Sequence, residues 1–174
     1  MELELVGYRY AKAELAVLMS LNGRREIPAL PGVVFPDKEQ FREGMESLEE
    51  GNMVSNAKGH LFVEKNQAVL LENLCACERY FSVRQGDTCV SLCACRQMGL
   101  LAESAGNGWV LKAAPAVREL GEEFLHALNR FPRGGTVRRA DGKEGREYFR
   151  APEKLNAEAR ETLAAFSGAG SAFA

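Results

Sequence analysis

The chain has 174 residues, 46% apolar and 26% charged, enough apolar matter for one compact domain with its own core. A formal net charge of -2 and a pI near 5.8 exclude a global attraction to phosphate backbones or anionic lipid, so nucleic-acid binding would need a local patch. Met1-Glu-Leu-Glu-Leu-Val-Gly7 has no basic and apolar leader, no run is long enough to span a bilayer, and five cysteines cannot all pair, so a soluble cytoplasmic protein with free thiols and no membrane insertion is expected.

Leu3 to Tyr10 alternate loosely, as in a short edge strand, and Ala11, Leu15, Leu18 and Met19 then share a helical face. Asn22-Gly23 stops that helix, since both residues tolerate the left-handed conformation of a helix end. Pro28, Pro31 and Pro36 keep the following connector extended and irregular. Asp37, with Gln40 three residues on, has the spacing of a capping box, and Phe41, Met45 and Leu48 form the apolar face of a second helix that Gly51 ends. Met53-Val54 and Leu61-Phe62-Val63 flank a polar loop, Ser55 to Gly59, and predict a β-hairpin. Helix, connector, helix and hairpin in that order outline a winged helix.

From about Asn66, Leu70, Leu74, Cys77 and Phe81 follow a 4-3-4 rhythm that predicts a third helix running to a break at Gly86-Asp87. Thr88 to Ala113 is rich in β formers, and Gly99 and Asn107-Gly108 divide it into three antiparallel strands. Pro115 opens a helix with Val117, Leu120, Phe124, Leu128 and Phe131 on one face, closed by Pro132 and Gly134-Gly135. Thr136 to Phe149 centres on Asp141-Gly142, the strongest short hairpin signal in the chain, with exposed and charged strands. Pro152 opens a last helix through Leu155, Ala159, Leu163 and Phe166, and residues 167–174 read as a flexible small-residue tail. The expected fold is α+β: an antiparallel sheet of hairpin and meander flanked by helices, with a winged-helix-like N-terminal portion. Residues 1–166 form a single domain, in which helix-plus-hairpin followed by helix-plus-meander suggests two related halves, 1–65 and 66–166.

Chemistry has few candidates. Cys75 and Cys77, if both helical, point about 200° apart and cannot grip one metal ion. Cys89, Cys93 and Cys95 share one face of a strand and are the metal candidates, although neither close pair, Cys75/Cys77 or Cys93/Cys95, has the two-to-four-residue gap of a zinc knuckle and the surroundings of both are apolar, which fits buried free thiols. Nucleophilic catalysis needs a base, and His60 and His126 both fall at surface positions. Gly168-Ala-Gly170 has no helix after it to cradle a phosphate. No catalytic residue and no cofactor is therefore expected.

In a winged helix, the helix before the hairpin reads the major groove and needs cations. Here it holds Asp37, Glu39, Glu43, Glu46, Glu49 and Glu50 against Lys38 and Arg42, a local balance of -4 that disfavours nucleic acid. The late hairpin is basic: Arg130, Arg133, Arg138, Arg139, Lys143, Arg146 and Arg150 against Asp141, Glu144 and Glu147, a balance of +4. Charge that keeps an edge hairpin soluble accounts for this pattern. Its functional reading is a partner contact through Arg133, Arg138, Arg139, Lys143, Arg146 and Arg150.

Ala13-Glu14-Leu15, Ile27-Pro28-Ala29-Leu30-Pro31 and Ser47-Leu48-Glu49-Glu50-Gly51 leading into a hairpin resemble the start of the EspG-type chaperones that accompany ESX, or type VII, secretion systems. The order of helix, meander and long helix to about Phe131 is also similar to that family's central antiparallel sheet flanked by helical bundles. The resemblance implies a cytosolic, non-catalytic protein that binds a helical secretion substrate and keeps it soluble. It rests on structural residues and carries no site residue across. Tyr10-Ala-Lys-Ala-Glu14 spells the Tyr-x-x-x-Asp/Glu secretion signal, but opens the first helix instead of following a helical hairpin, so it is read as chance. The leading expectation is a protein-binding, chaperone-like accessory factor of such a system. The alternative is a winged-helix DNA-binding regulator using Arg24, Arg25 and the late hairpin, and the third is a cysteine-dependent enzyme.

Overall fold

Successive side chains of a strand go to opposite faces, and the central strands here are apolar on both, so their sheet has to be covered twice. The computed structural model describes residues 6–57, 60–142 and 145–172. The chain runs β1 (Val6–Ala11), α1 (Lys12–Leu21), α2 (Lys38–Glu50), β2 (Val54–Ala57), β3 (His60–Val63), α3 (Lys65–Cys75), β4 (Arg79–Gln85), β5 (Thr88–Ala94), β6 (Gly99–Ala105), β7 (Gly108–Ala114), α4 (Gly121–Ala127), β8 (Gly135–Asp141), β9 (Arg146–Arg150) and α5 (Pro152–Ala172). Seven strands make one antiparallel sheet in the order β1-β7-β6-β5-β4-β8-β9, and β2-β3 is a separate hairpin.

Tyr10, Cys89, Cys93, Leu100, Ala102, Trp109 and Leu111 point to one face, under Leu15, Leu18 and Met19 of α1, Leu48 of α2, and Leu70, Leu71 and Leu74 of α3. Phe81, Val83, Val90, Leu92, Leu101 and Val137 point to the other, under Leu120, Phe124, Leu128 and Phe131, and under Leu155, Ala159 and Phe166 of α5. Phe81 and Phe124 meet edge to face with ring centroids 5.8 Å apart. The architecture is thus α+β in three layers, with the chain up to Cys75 supplying one helical layer and, through β1 against β7, an edge of the shared sheet.

Local chemistry places the elements. Glu14 closes the start of α1 by accepting from the Ala11 amide at 2.7 Å. Asn22 ends it, donating from Nδ2 to the Leu18 carbonyl at 2.8 Å, and Gly23 follows at φ 73°. The capping box of α2 is present in full: Asp37 accepts from the Gln40 amide at 2.8 Å and Gln40 from the Asp37 amide at 3.1 Å. The carboxylates of α2 all lie exposed, the acidic wall that the sequence implies. The hairpin follows α2, and the late hairpin turns at Asp141-Gly142 with Gly142 at φ 80°.

Six expectations need correction. Ser55, Asn56 and Ala57, expected in the loop of the first hairpin, belong to strand β2 opposite Phe62, Leu61 and His60. β8, expected as an exposed strand of an edge hairpin, lies between β4 and β9 with Val137 and Ala140 buried. The third helix stops at Cys75, and Arg79–Gln85 is strand β4, hydrogen-bonded to β5 on one side and β8 on the other. Tyr80-Phe81-Ser82-Val83 serves both faces of a central strand, so the rhythm through Cys77 and Phe81 was coincidental. Phe41 is not core: Gly44 brings α2 so close to α1 that Gly44 and Leu48 face inward, Met45 is partly covered and Phe41 is 37% exposed. The helix expected after Pro115 is broken into a 3-10 turn over Val117–Leu120, α4, and a second 3-10 turn over Leu128–Arg130, although its five apolar residues are all buried. Finally α5 continues to Ala172, so residues 167–172 are helical where a tail was expected, alanine being the strongest helix former. Leu3, Lys58, Gly59, Lys143 and Glu144 lie outside the described residues.

Candidate interaction surface

The connector between α1 and α2 turns its apolar residues two ways. Ile27, Ala29, Leu30 and Val33 are buried against the sheet, and an isolated bridge pairs Glu26 with Val34 and folds the segment into a hook. Its anchor is polar: Ser91 Oγ of β5 donates to the Ala29 carbonyl at 2.5 Å, with Ser82 Oγ of β4 2.9 Å from Ser91 Oγ. With Pro31 and Pro36 limiting the backbone, Val34 and Phe35 are left outside, 63% and 56% exposed. The Arg25 guanidinium lies 5.9 Å from the Phe35 ring centroid.

Beside them opens a cleft of about 240 Å³. Ile27, Pro28, Pro31 and Val33 make its apolar wall, and Arg25, Glu26 and Arg138 bring charge to it. Arg138 reaches it from β8 beside the Tyr80 hydroxyl, whose pKa is raised by burial against the opposing effect of that guanidinium. Exposed apolar side chains next to cations suit the contact face of a protein partner.

The six cations predicted as partner contacts do not form one patch. Arg138 and Arg139 are neighbours on β8 and go to opposite faces, so Arg138 joins the connector while Arg139 joins Arg146, Tyr148 and Arg150 around a shallow depression of about 390 Å³. Glu158 of α5 sits among this second group, with its side chain 12% exposed. It accepts from the Tyr148 hydroxyl and from Arg150 Nε at 3.0 Å, and lies 3.8 Å from Arg139 Nη1. The Arg150 guanidinium also stacks 4.3 Å above the Tyr148 ring centroid. Arg79 and Arg84 of β4 pair with the hairpin's own acids, Asp141 at 2.8 Å and Glu147 at 2.7 Å, so the carboxylate that meets Arg139 and Arg150 is that of Glu158 on α5. Arg133 is exposed in the turn before β8, and Lys143 lies outside the described residues.

Other candidates are absorbed by the fold. Tyr10 is fully buried and donates to Gln67 Oε1, and Glu14 also accepts from Ser47 Oγ at 3.0 Å, so both ends of the Tyr-x-x-x-Glu match serve packing. His60 and His126 are exposed, on β3 and α4. Cys89, Cys93 and Cys95 share one face as expected but do not converge: Cys89 Sγ lies 3.6 Å from Ser82 Oγ and 3.8 Å from Ser91 Oγ, whereas Cys93 and Cys95 contact Cys77. Among the described residues no group of three or more His, Cys, Asp or Glu is arranged to hold a metal ion. Gly168 and Gly170 are inside α5. Among the described residues no helix is long and apolar enough to cross a membrane.

Sequence reasoning missed Val34, Phe35 and Glu158. The apolar run Val33-Val34-Phe35 between two prolines and after Arg24-Arg25 was the available signal for the first two. No protein-family profile matches the chain, and no curated protein sequence matches it.

Proposed function

We propose that this chain is a non-enzymatic, protein-binding accessory factor, a chaperone-like component of a type VII-like secretion system, and that the connector cleft receives a helical secretion substrate in the cytoplasm. The observation that carries the reading is the exposure of Val34 and Phe35 next to Arg25 and Arg138. An amphipathic helix would lay apolar side chains on Val34 and Phe35 and bring a carboxylate to the guanidiniums. A central antiparallel sheet between two helical layers supports the same reading, because that is the pattern the resemblance implies.

A second reading, a DNA-binding regulator, draws on Arg25 and Arg138 reaching one cleft, but the exposed carboxylates of α2 oppose it. The two are separated by titrating the full chain, at low and at moderate salt, with random duplex DNA and with a small helical-hairpin protein of the type VII substrate class. Saturable binding of the helical protein at both salt concentrations, without DNA binding, is expected. Clear DNA affinity that collapses with salt, and no affinity for the helical protein, would replace the first reading by the second.

A further inference from the structure

Three of the five cysteines meet where two irregular segments cross the buried face of the sheet. Cys77 lies in the link between α3 and β4, its Sγ 3.2 Å from the Arg79 carbonyl oxygen and 3.9 Å from that of Ala94. Ala94 is the residue between Cys93 and Cys95, whose side chains point to the same face, so the Cys77 sulfur is set against the strand between two thiols. The two are not equivalent as partners. Cys93 is fully buried within β5, paired with Tyr80 on one side and Leu100 on the other. Cys95 is part-exposed and lies just beyond the last paired residue of β5, its amide donating to the Met98 carbonyl at 3.0 Å. A disulfide needs a particular approach of the two Cβ atoms, which a link and a strand end can adjust to and a doubly paired strand cannot.

We propose that Cys77 and Cys95 are an oxidative modification site, closed to a reversible disulfide by a hydroperoxide. The Cys77 sulfur, on losing its proton, attacks the peroxide oxygen. The O–O bond breaks, a sulfenic acid forms and the other oxygen leaves as water from hydrogen peroxide, or as the alcohol from an organic hydroperoxide. The Cys95 sulfur then attacks the sulfenic sulfur, the S–S bond forms, the S–O bond breaks, and a water departs with the Cys95 proton. Two thiols supply two electrons and one hydroperoxide accepts them. Hydrogen bonds from the Cys93 and Cys95 thiols hold Cys77 below the usual thiol range, which favours it as the attacking group, while that same contact and burial push Cys93 and Cys95 up. Closure would tie the end of α3 to the β5–β6 turn.

The test is to treat the reduced full chain with a few equivalents of hydrogen peroxide, alkylate the remaining thiols, and map disulfides by tryptic digestion and tandem mass spectrometry. Cleavage after Arg79 and Arg84 separates the peptide of Cys75 and Cys77 from that of Cys89, Cys93 and Cys95, and fragmentation assigns the sulfurs. The expected product is a monomer lighter by two hydrogens with Cys77 joined to Cys95, restored by dithiothreitol. Cys93→Ser should retain the bond, and Cys77→Ser or Cys95→Ser should abolish it. Mapping of the unsubstituted chain decides even where a variant folds poorly. A bond through Cys75, Cys89 or Cys93, a purely intermolecular bond, or five free thiols after treatment would overturn the proposal.

Discussion

Gly44 of α2 rests directly on the Ala13 carbonyl of α1: a Cβ at position 44 would lie 2.6 Å from that oxygen and 2.6 Å from Val17 Cγ2. Backbone cannot yield as a side-chain tip can, so Gly44→Ala should separate the two helices and destabilise by about 1–3 kcal/mol, despite the better helix propensity of alanine. A Cβ added at Gly168 of α5 would meet nothing within 4 Å, and Gly168→Ala should be neutral or stabilising by up to about 1 kcal/mol. Urea denaturation of both variants checks the pair, and equal effects would refute the close α1–α2 contact.

That contact also fixes how α2 is turned. Leu48→Asp places a charge in a site with no exposure and should cost about 4 kcal/mol or more, enough to threaten folding. Phe41→Asp, at the helix start and 37% exposed, should cost about 1 kcal/mol. Thermal midpoints falling equally in both would mean that Phe41 is core after all.

Ser91 carries the polar link between sheet and connector. Ser91→Ala leaves the Ala29 carbonyl without its buried donor and should cost about 1–3 kcal/mol. Amide hydrogen exchange should quicken in residues 26–35 more than in α5. Uniform acceleration in both would contradict a local anchor.

Stability should fall in mild base through Cys75. Burial pushes its thiol up to about 11 from an ordinary 9.0, outweighing the nearby Arg24. The contribution is complete below pH 9.0 and is lost as pH rises toward 11, where the unfolded chain has released this proton and the folded chain still holds it. The slope is about 1.4 kcal/mol per pH unit. Under reducing conditions Cys75→Ala should show a correspondingly flatter loss of stability between pH 8 and pH 10.5. Parallel slopes for variant and parent would remove Cys75 as the cause.

What was legible followed from local backbone needs. Asp37 with Gln40, Asn22 with Gly23, and Asp141 with Gly142 each satisfy a cap or a turn by their own chemistry, and each element begins or ends where they say. The overrun of the third helix had another origin: in a strand covered on both faces the apolar run is nearly continuous, and a helical rhythm can be drawn through it. The surface was harder to read. Val34 and Phe35 are exposed because Ala29 is fastened to Ser91, sixty-two positions away in the chain. The division of the basic hairpin, by contrast, was implicit in Arg138 and Arg139 being adjacent in a predicted strand, and only the count of charges concealed it.

The most direct measurement is co-expression of the chain with a helical-hairpin protein of the type VII substrate class, followed by sizing and calorimetric titration of the parent and of Phe35→Asp. A stoichiometric complex is expected for the parent, and Phe35→Asp should weaken it at least about tenfold, roughly 1.4 kcal/mol, with its thermal midpoint unchanged. No complex at tens of micromolar, or a complex that Phe35→Asp leaves intact, would contradict substrate binding at the connector cleft.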